Sequence, residues 1–578
     1  MTNRIARSLA IIVFTLAALT PLGHAQAQIA GDWQGTLNAG GAQLRLVLHI
    51  TIAQDGSLAA TLDSIDQGAN GIPVTAISLK DSRLSFTVDA AHIAYEGTVS
   101  KDATEIDGTL TQGQPVKLDF KRVSAQDTAA ALRPAAAPKP VAPSEIDGAW
   151  LGSLDAGAYK LRLVFKIVNT PDGLSATVDS LDTGLKGIPA TSVARSGNSL
   201  AIAISGMGAA FEGKVAADLG SIDGTFTQAG AHLPLLLKRV KDPSELELRR
   251  PQNPVKPYPY REEEVTYANK EGGNTLAATL TIPPGKGPFP AVLLIVGSGP
   301  HDRDENVMGH KPFLVLADYL TRKGIVVLRA DKRGVGKSTG DPATATTADF
   351  ATDAEAGVTF LKTRSEVNPH KIGLAGHSEG GVIAPMVAAR NQDVGFIVMM
   401  AGSGVPGDQI IVEQLRLIEE AGGASKEKVA KDVANEQELL ALVEKEKDDA
   451  VLEKELHEKL AAAGMPDAQM GAQIKAVTSP WMRYFLAYDP ATALRKVTCP
   501  VLAINGERDL QVPPAQNLPA IKKALEQGGN QHIEIAELPG LNHLFQTAKT
   551  GSPAEYGEIE ETMSPAALDR IASWILKQ

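Results

Sequence analysis

The chain has 578 residues, a net charge of −11 and a single cysteine. This length is sufficient for several hydrophobic cores. Acidic and basic residues are interspersed, without the basic stripe that a nucleic-acid surface requires, so no nucleic-acid partner is expected. One cysteine excludes an intramolecular disulfide. Cys499 precedes an apolar run, which is typical of a small buried side chain and not of a nucleophile.

The first 27 residues have the pattern of a cleavable secretion signal. Arg4 and Arg7 supply its positive region, residues 9–19 its apolar core and residues 25–27 an A-x-A cleavage site. Because the apolar run is short, no stable membrane span is expected. We predict a periplasmic or extracellular protein, with an uncleaved anchor as the alternative.

A duplicated unit follows the signal. Trp33 and Trp150 lie in matching segments 117 positions apart (150 − 33 = 117), and residues 44–50 return as residues 161–167. The spacing of further matches agrees within one residue, which indicates duplication. Short runs of alternating apolar residues, divided by Gly, Asp and Asn, predict two small antiparallel β domains that are barrel- or sandwich-like.

The predicted boundaries follow from composition. We place β repeat domain 1 at 28–123 and β repeat domain 2 at 146–240, with an Ala/Pro-rich linker at 124–145. A Pro-rich connector at 241–260 leads to a C-terminal region at 261–578. No candidate catalytic group lies in the repeats, so the C-terminal region is expected to act without them. The repeats either dock to a surface or partner, or serve as folding or spacer modules.

The most informative motif is G-x-S-x-G at residues 376–380. A short apolar run precedes it, and a small-residue run typical of a helix follows. Strand, motif and helix form the context of a nucleophile elbow, a tight turn that holds the serine oxygen clear of the backbone. Ser378 is therefore the candidate nucleophile. The alternative is a glycine-rich turn with an ordinary exposed serine.

A serine nucleophile needs a base, which in this architecture follows it in the chain. His457 lies in a charged helical pattern, His532 begins an apolar run, and His543 lies in the loop after that run. A loop at the end of a strand can bring a base to the nucleophile. We therefore predict His543 as the base.

The acid that orients the base is sought in the same way. Residues 500–505 form an apolar run typical of a buried strand, and the loop after it contains Glu507 and Asp509. Asp509 is the first candidate and Glu507 the second. Asp489 precedes the strand and is predicted to cap a turn or helix.

Taken in order, these motifs resemble the α/β-hydrolase superfamily, in particular its bacterial esterase and serine-aminopeptidase-like branch. The resemblance covers about residues 260–578 and rests on the segments 297–305, 331–338, 376–380, 479–483, 506–509 and 542–543. It implies an α/β fold in which Ser378, Asp509 and His543 act as nucleophile, orienting acid and base.

The oxyanion hole is predicted from the same architecture. The N–H of Glu379, directly after the nucleophile at a helix N-terminus, is one expected donor. The second donor is Gly299 or Ser298, in the loop after the apolar run 291–296. Many relatives have His-Gly-Gly at this loop, whereas this chain has Gly-Ser-Gly, so the choice between the two stays open.

A helical cap is predicted at about residues 403–490. This stretch lies between two apolar runs and has the 3.6-residue periodicity of helices, and relatives place a cap over the active site at this point. Trp481, Tyr484 and Phe485 either line the substrate pocket or belong to the core.

Two other motifs were weighed as binding sites. Residues 334–338 suggest a phosphate loop, but the glycine required at the first position is Asp331, so a structural loop is predicted. Residues 301–305 with His310 could bind a metal, yet their spacing matches no helical zinc motif, and Arg303 is expected to form ion pairs. No metal and no cofactor are expected.

The sequence thus predicts a secreted serine hydrolase that cleaves carboxylic esters through an acyl-enzyme intermediate. Its substrate would be a small-molecule ester or a short peptide. A serine peptidase or amidase of the same fold is the alternative, because both reactions pass through the same tetrahedral intermediate. From another class, the chain could be a catalytically inactive binding protein.

Overall fold

The computed structural model describes residues 29–39, 42–52, 58–64, 69–80, 82–88, 93–112, 114–123, 142–155, 160–228, 230–462, 465 and 467–578. The predicted signal segment and most of the predicted linker lie outside these residues. The chain divides into two compact units, one formed by Met1–Ser144 with Asn169–Ser175 and the other by Glu145–Val168 with Ala176–Gln578.

The first unit contains a curled antiparallel sheet of ten strands in the order β4-β3-β2-β1-β10-β8-β7-β6-β5, with β9 paired to β8. The strands are β1 Gly31–Ala39, β2 Ala42–Ile52, β3 Leu58–Ser64, β4 Ala69–Pro73, β5 Ala76–Lys80, β6 Arg83–Val88, β7 Ile93–Val99, β8 Glu105–Gln112, β9 Gln114–Lys117 and β10 Phe120–Val123. Alternate residues face one core around the fully buried Trp33. The indole N–H of Trp33 donates to the carbonyl of Ile29 at 2.9 Å.

The second β repeat forms a nine-stranded antiparallel sheet in the order β14-β13-β12-β11-β19-β18-β17-β16-β15. The strands are β11 Gly148–Asp155, β12 Lys160–Thr170, β13 Gly173–Ser180, β14 Leu185–Pro189, β15 Ser192–Ser196, β16 Ser199–Ile204, β17 Ala209–Val215, β18 Ser221–Gln228 and β19 Ala231–Arg239. Buried Trp150 donates to the carbonyl of Ile146 at 2.9 Å. The prediction of two antiparallel β domains is confirmed.

The C-terminal region is built on an eight-stranded sheet in the order β20-β21-β23-β22-β24-β25-β26-β27. The strands are β20 Arg261–Asn269, β21 Asn274–Ile282, β22 Phe289–Ile295, β23 Val326–Ala330, β24 Val367–His377, β25 Phe396–Met400, β26 Val501–Gly506 and β27 Ile533–Leu538. The first two strands pair antiparallel, β21 is antiparallel to β23, and the other pairs are parallel. Parallel neighbours place their carboxyl ends at one edge, where sites form in such sheets.

Helices cover both faces of this sheet. They are α1 Pro312–Arg322, α2 Thr347–Lys362, α3 Glu379–Ala388, α4 Gly407–Ala421, α5 Lys426–Lys445, α6 Asp449–Ala462, α7 Asp467–Val477, α8 Pro480–Ala487, α9 Ala491–Leu494, α10 Pro514–Gln527 and α11 Pro565–Ile575. Helices α2, α3 and α10 pack on one face, and α1 and α11 on the other. The α/β-hydrolase fold predicted from the sequence is confirmed.

The helical cap is also present. Helices α4 to α8 lie between β25 and β26, and a separate apolar cluster holds them together. This cluster includes Leu439, Leu452 and Leu456, which are buried on α5 and α6. None of the helices in the described part of the chain is both long and apolar enough to cross a membrane.

Candidate active site

Ser378 lies between β24 and α3 with a strained backbone. Its φ is 53° and its ψ −115°, a conformation that residues with a side chain rarely adopt. Its N–H donates to the carbonyl of Met400 at 2.9 Å, and its own carbonyl accepts from the N–H of Gly381. The turn between strand and helix is therefore held on both sides of the serine.

The glycines of the motif are required by the close approach of neighbouring backbone. A Cβ on Gly376 would lie 1.9 Å from the carbonyl oxygen of Gly380. A Cβ on Gly380 would lie 2.0 Å from the carbonyl oxygen of Ile295 on β22. Any larger residue would push the turn out of place, because real Cβ atoms do not approach backbone so closely. This packing is the local reason for the G-x-S-x-G pattern.

His543 and Asp509 meet at the carboxyl edge of the sheet. His543 Nδ1 lies 2.9 Å from Asp509 Oδ2, and both residues are buried. The other carboxylate oxygen of Asp509 accepts from the backbone N–H groups of Gln511, at 2.9 Å, and Val512, at 2.8 Å. The loop after β26 thus fixes the carboxylate, and the carboxylate fixes the ring of His543.

The competing carboxylates have other contacts. Glu507 is exposed and accepts from the N–H of Gly540 at 2.7 Å. Asp489 accepts from the N–H of Ala491 at 3.0 Å, in the turn before a short helix whose N-cap is Pro490. Among the described carboxylates that were candidates, Asp509 alone contacts His543.

The competing histidines lie away from this edge. His457 is exposed on α6, and His532 is exposed at the start of β27. The structure therefore brings together Ser378, His543 and Asp509 of the predicted residues, since Ser378 and His543 line one pocket.

A second histidine–carboxylate pair, which the sequence did not reveal, lies beside these residues. His377 Nδ1 is 3.0 Å from Glu305 Oε1, and His377 Nε2 is 3.0 Å from the backbone carbonyl of His543. The same oxygen of Glu305 accepts from the N–H of Gly297 at 2.7 Å. This pair therefore joins the loop after β22, the elbow and the histidine loop.

Both ring nitrogens of His377 face oxygen acceptors, an arrangement that favours the doubly protonated imidazolium. Burial lowers the pKa of His377, but the Glu305 carboxylate outweighs this effect, and the pKa lies above its ordinary value. Burial also raises the pKa of Glu305, and His377 more than compensates, so that pKa is lowered. An ion pair of imidazolium and carboxylate results.

Replacing His377 by glutamine should destabilise the protein in a pH-dependent way. A histidine with a raised pKa contributes stability fully below its unfolded pKa of 6.5, and the contribution is lost as the pH rises through the folded value. We expect His377→Gln to cost ~3 kcal/mol near pH 6 and clearly less near pH 10. Calorimetry of the unfolding of the C-terminal region at each pH measures the two free-energy costs.

The matched control for this prediction is His370→Gln. His370 is exposed on the same strand, so its replacement should change the free energy of unfolding little at either pH. An equal cost of His377→Gln near pH 6 and pH 10 would contradict the charged state of His377.

The side chain of Glu379 is held by three different elements. Its carboxylate accepts from Lys332 Nζ at 2.8 Å, from Thr347 Oγ1 at 2.7 Å and from Trp481 Nε1 of the cap at 2.6 Å. Lys332 Nζ also donates to the carbonyl of Gly297 at 2.9 Å. The residue after Ser378 thus connects the elbow to the cap and to the candidate oxyanion loop.

Neither Lys332 nor Glu305 was singled out from the sequence. Lys332 lies just before residues 334–338, which were predicted to form a structural loop, and Glu305 lies in the run weighed as a metal site. Both segments follow strands that end at the same edge of the sheet. This placement in the sequence was the signal that could have identified the two residues as part of the site.

Two pockets meet at Ser378. One has a volume of about 170 Å³ and lies under α4 and α8 of the cap. Its apolar lining residues are Val382, Ile410, Ile411, Trp481, Met482, Phe485 and Val512. Trp481 and Phe485, two of the three aromatic candidates, therefore line a pocket beside Ser378, whereas Tyr484 stacks on Tyr488.

The other pocket has a volume of about 330 Å³, and most of its lining residues have polar side chains. It contains His543, which the apolar pocket does not, and its polar lining residues are Ser298, His301, Glu305, Asn306, His377, Gln511 and Tyr556. Ser298 lines both pockets, and Gly299 lines neither.

The two segments weighed as phosphate and metal sites have structural contacts. Arg303 forms a bidentate pair with Asp331, and the hydroxyl of Ser338 donates to the carbonyl of Asp331. Within the described residues, no group of three or more His, Cys, Asp or Glu side chains is arranged to hold a metal ion.

The chain is similar to several known proteins. The family model described as serine aminopeptidase, S33, matches residues 311–547. Esterase EstD of Thermotoga maritima is 32% identical over 331 residues, which are 56% of this chain and 69% of EstD. YfhR of Escherichia coli K12 is 29% identical over 160 residues, or 28% of this chain and 53% of YfhR.

Two solved structures are similar at lower identity. The Pyrococcus furiosus esterase PF2001 has 14% identity and a TM-score of 0.35, covering 57% of this chain and 97% of that one. Est1E of Butyrivibrio proteoclasticus, solved with ferulic acid bound, has 18% identity and a TM-score of 0.32, covering 54% and 98%.

The sheet order, the elbow and the cap define an α/β hydrolase. With 32% identity across more than two thirds of EstD, the chain belongs to the serine-aminopeptidase-like α/β-hydrolase family. The chain is therefore a hydrolase by family.

Proposed function

We propose that this protein is a secreted serine hydrolase that cleaves carboxylic esters through an acyl-enzyme intermediate. Ser378 is the nucleophile, His543 the base and Asp509 the acid that orients it. The observation that carries this proposal is the buried 2.9 Å contact between His543 Nδ1 and Asp509 beside the strained Ser378. A serine without a catalytic role would not require a buried histidine–aspartate pair beside it.

The reaction proceeds in two halves. The Ser378 hydroxyl attacks the ester carbonyl while His543 Nε2 takes its proton, and Asp509 stabilises the imidazolium that forms. The tetrahedral intermediate then collapses, and His543 returns the proton to the leaving alcohol. Water, activated by the same histidine, attacks the acyl-enzyme and releases the acid and free Ser378.

The oxyanion is bound by the N–H groups of Glu379 and Ser298. Glu379 is the first residue of α3, where backbone N–H groups have no partner within the helix. The N–H of Gly297 is occupied by Glu305, and Ser298 is the next donor and lines both pockets. Gly299, the other candidate, lines neither. Each donor contributes about 3–4 kcal/mol to stabilisation of the transition state.

The two pockets receive different parts of the ester. Because His543 protonates the leaving group, the polar pocket that contains His543 takes the alcohol. The apolar pocket under the cap takes the acyl chain. Its volume of about 170 Å³ suits a short or medium chain.

Filling the apolar pocket should shorten the preferred acyl chain. Ile411→Trp on α4 adds bulk to the lining, so we expect kcat/KM for p-nitrophenyl hexanoate to fall about tenfold or more, with less effect on the acetate. Val451→Trp is the control, because Val451 is exposed on another cap helix. A parallel loss for all chain lengths would contradict this assignment of the acyl pocket.

The family model's description favours one second candidate, a serine aminopeptidase. A fluorophosphonate probe followed by peptide mapping tests the shared chemistry, and labelling of Ser378 is expected. A panel of p-nitrophenyl esters beside aminoacyl-anilides then separates the two activities. Faster turnover of the anilides would replace the esterase proposal, and no labelling of Ser378 would favour an inactive binding protein.

A further inference from the structure

The second β repeat contacts the hydrolase region at one loop. Arg162 on β12 pairs with buried Asp182, and its Nη2 also donates to the carbonyl of Gly557 at 3.1 Å. The contact is close, since a Cβ on Gly557 would lie 2.9 Å from Asp182 Oδ1. The repeat therefore holds the backbone of the loop at residues 556–559.

Arg250, in the connector, holds the same loop from a second side. Its Nη2 donates to the carbonyls of Gly557 and Met308, both at 2.9 Å, and its Nη1 donates to the carbonyl of Ile559 at 3.2 Å. One carbonyl, that of Gly557, thus accepts from two guanidinium groups. Arg250 also joins this loop to the loop that contains Met308.

These two loops form a wall of the polar pocket. Tyr556 lies in one, and Asn306 and Val307 lie in the other. The Tyr556 hydroxyl accepts from Gln511 Nε2 at 2.8 Å, so the wall is also connected to the loop that fixes Asp509. Arg162 and Arg250 therefore hold the backbone directly beside this wall, and His310 Nε2 contacts the carbonyl of Tyr556 at 2.9 Å.

The polar pocket contains groups suited to hydroxyls. Glu305 is 1% exposed, and its Oε2 has no hydrogen-bond partner among the described residues although Glu305 lines this pocket. His301, Asn306 and Gln511 add both donors and acceptors. Hydroxyl groups both donate and accept hydrogen bonds, so donors and acceptors on the pocket wall suit a hydroxyl-bearing ligand.

We infer that the second β repeat helps to form the site that binds the leaving group. Through Arg162, and together with Arg250, it positions the Tyr556 wall of the polar pocket. This pocket receives a hydroxyl-rich leaving group such as a sugar. This inference rests on the proposed esterase function. Arg162 and Arg250 are positioning residues, because they act through the loop and do not line the pocket.

The first experiment tests the substrate class with the full chain. Glucose 6-acetate and cyclohexylmethyl acetate have the same acyl group and a six-membered ring on the same CH₂, and differ in the hydroxyls and the ring oxygen. We expect kcat/KM to be at least tenfold higher for the sugar ester. A ratio near one, with ready hydrolysis of both esters, would overturn the inference. Failure to hydrolyse even p-nitrophenyl acetate would instead overturn the proposed function.

The second experiment tests the role of the repeat. Gly557→Ala introduces a Cβ that forces the loop away from Asp182, and Arg162→Lys keeps a charge beside Asp182 but loses the fork that reaches Gly557. In both variants we expect the ratio for the two acetates to fall fivefold or more, through a higher KM for the sugar ester. Gly206→Ala in the same repeat, with no neighbour within 4 Å of the added Cβ, is the control.

Two results separate the parts of the inference. A tenfold sugar preference that persists unchanged in both Gly557→Ala and Arg162→Lys would show that the repeat does not position the wall. An equal loss of kcat for both acetates, without a change in KM, would show a general effect on the fold and would also overturn the inference.

Discussion

Replacing Ser378 by alanine should lower kcat for ester hydrolysis by about 10⁴- to 10⁶-fold while the fold stays intact. The loss follows from removal of the attacking oxygen, without which no acyl-enzyme can form. The fold should persist because the Ser378 side chain accepts no hydrogen bond from a helix N–H. An alanine at this position would have the same strained backbone conformation as the serine. Initial rates on p-nitrophenyl butyrate and circular dichroism measure the two effects.

Ser365→Ala is the matched control, since Ser365 is an exposed serine of the same region. It should retain full activity and full labelling by a fluorophosphonate. More than a few per cent of activity in a natively folded Ser378→Ala protein would place the nucleophile elsewhere.

Replacing His543 by alanine should cost about as much as Ser378→Ala, and the double variant should lose little more. The proposed triad acts as a unit, so removing one member already abolishes the covalent route. Losses in kcat that multiply in the double variant would contradict the assignment.

Asp509→Asn should cost up to about 10⁴-fold in kcat, because the amide no longer holds the ring of His543 in the required tautomer. Glu507→Gln is the control from the same loop. Glu507 is exposed, and an amide oxygen can still accept from the N–H of Gly540. A larger loss in Glu507→Gln than in Asp509→Asn would mean that the wrong carboxylate was chosen.

The candidate triad could be predicted from the sequence because each member lies in a local pattern. The elbow needs glycines at fixed positions, since Gly376 and Gly380 contact neighbouring backbone directly. Asp509 and His543 each follow an apolar strand, and in a parallel sheet such positions meet at one edge. The chain order of the three residues supplied the remaining constraint.

The fold class was likewise predictable, because the ordered motifs resemble the α/β-hydrolase superfamily and periodicity indicated the remaining parts. Alternation with period two marked the β repeats, and helical spacing marked the cap. The proposed choice of Ser298 over Gly299 as oxyanion donor was not predictable, because it depends on which of the two residues lines the pockets at Ser378. The course of the loop in space decides this, and no pattern in the sequence records it.

Only the tertiary structure brought together the residues that support the site. His377 meets the carbonyl of His543 across 166 positions of the chain, and Trp481 meets Glu379 across 102. Arg162 meets Gly557 across 395. Local sequence determined the elements and the positions of the candidate triad, because propensity and turn chemistry act over a few residues. Contacts between distant segments depend on how whole elements pack. The side chains that join the loops, the cap and the second β repeat to the site could therefore be identified only in the tertiary structure.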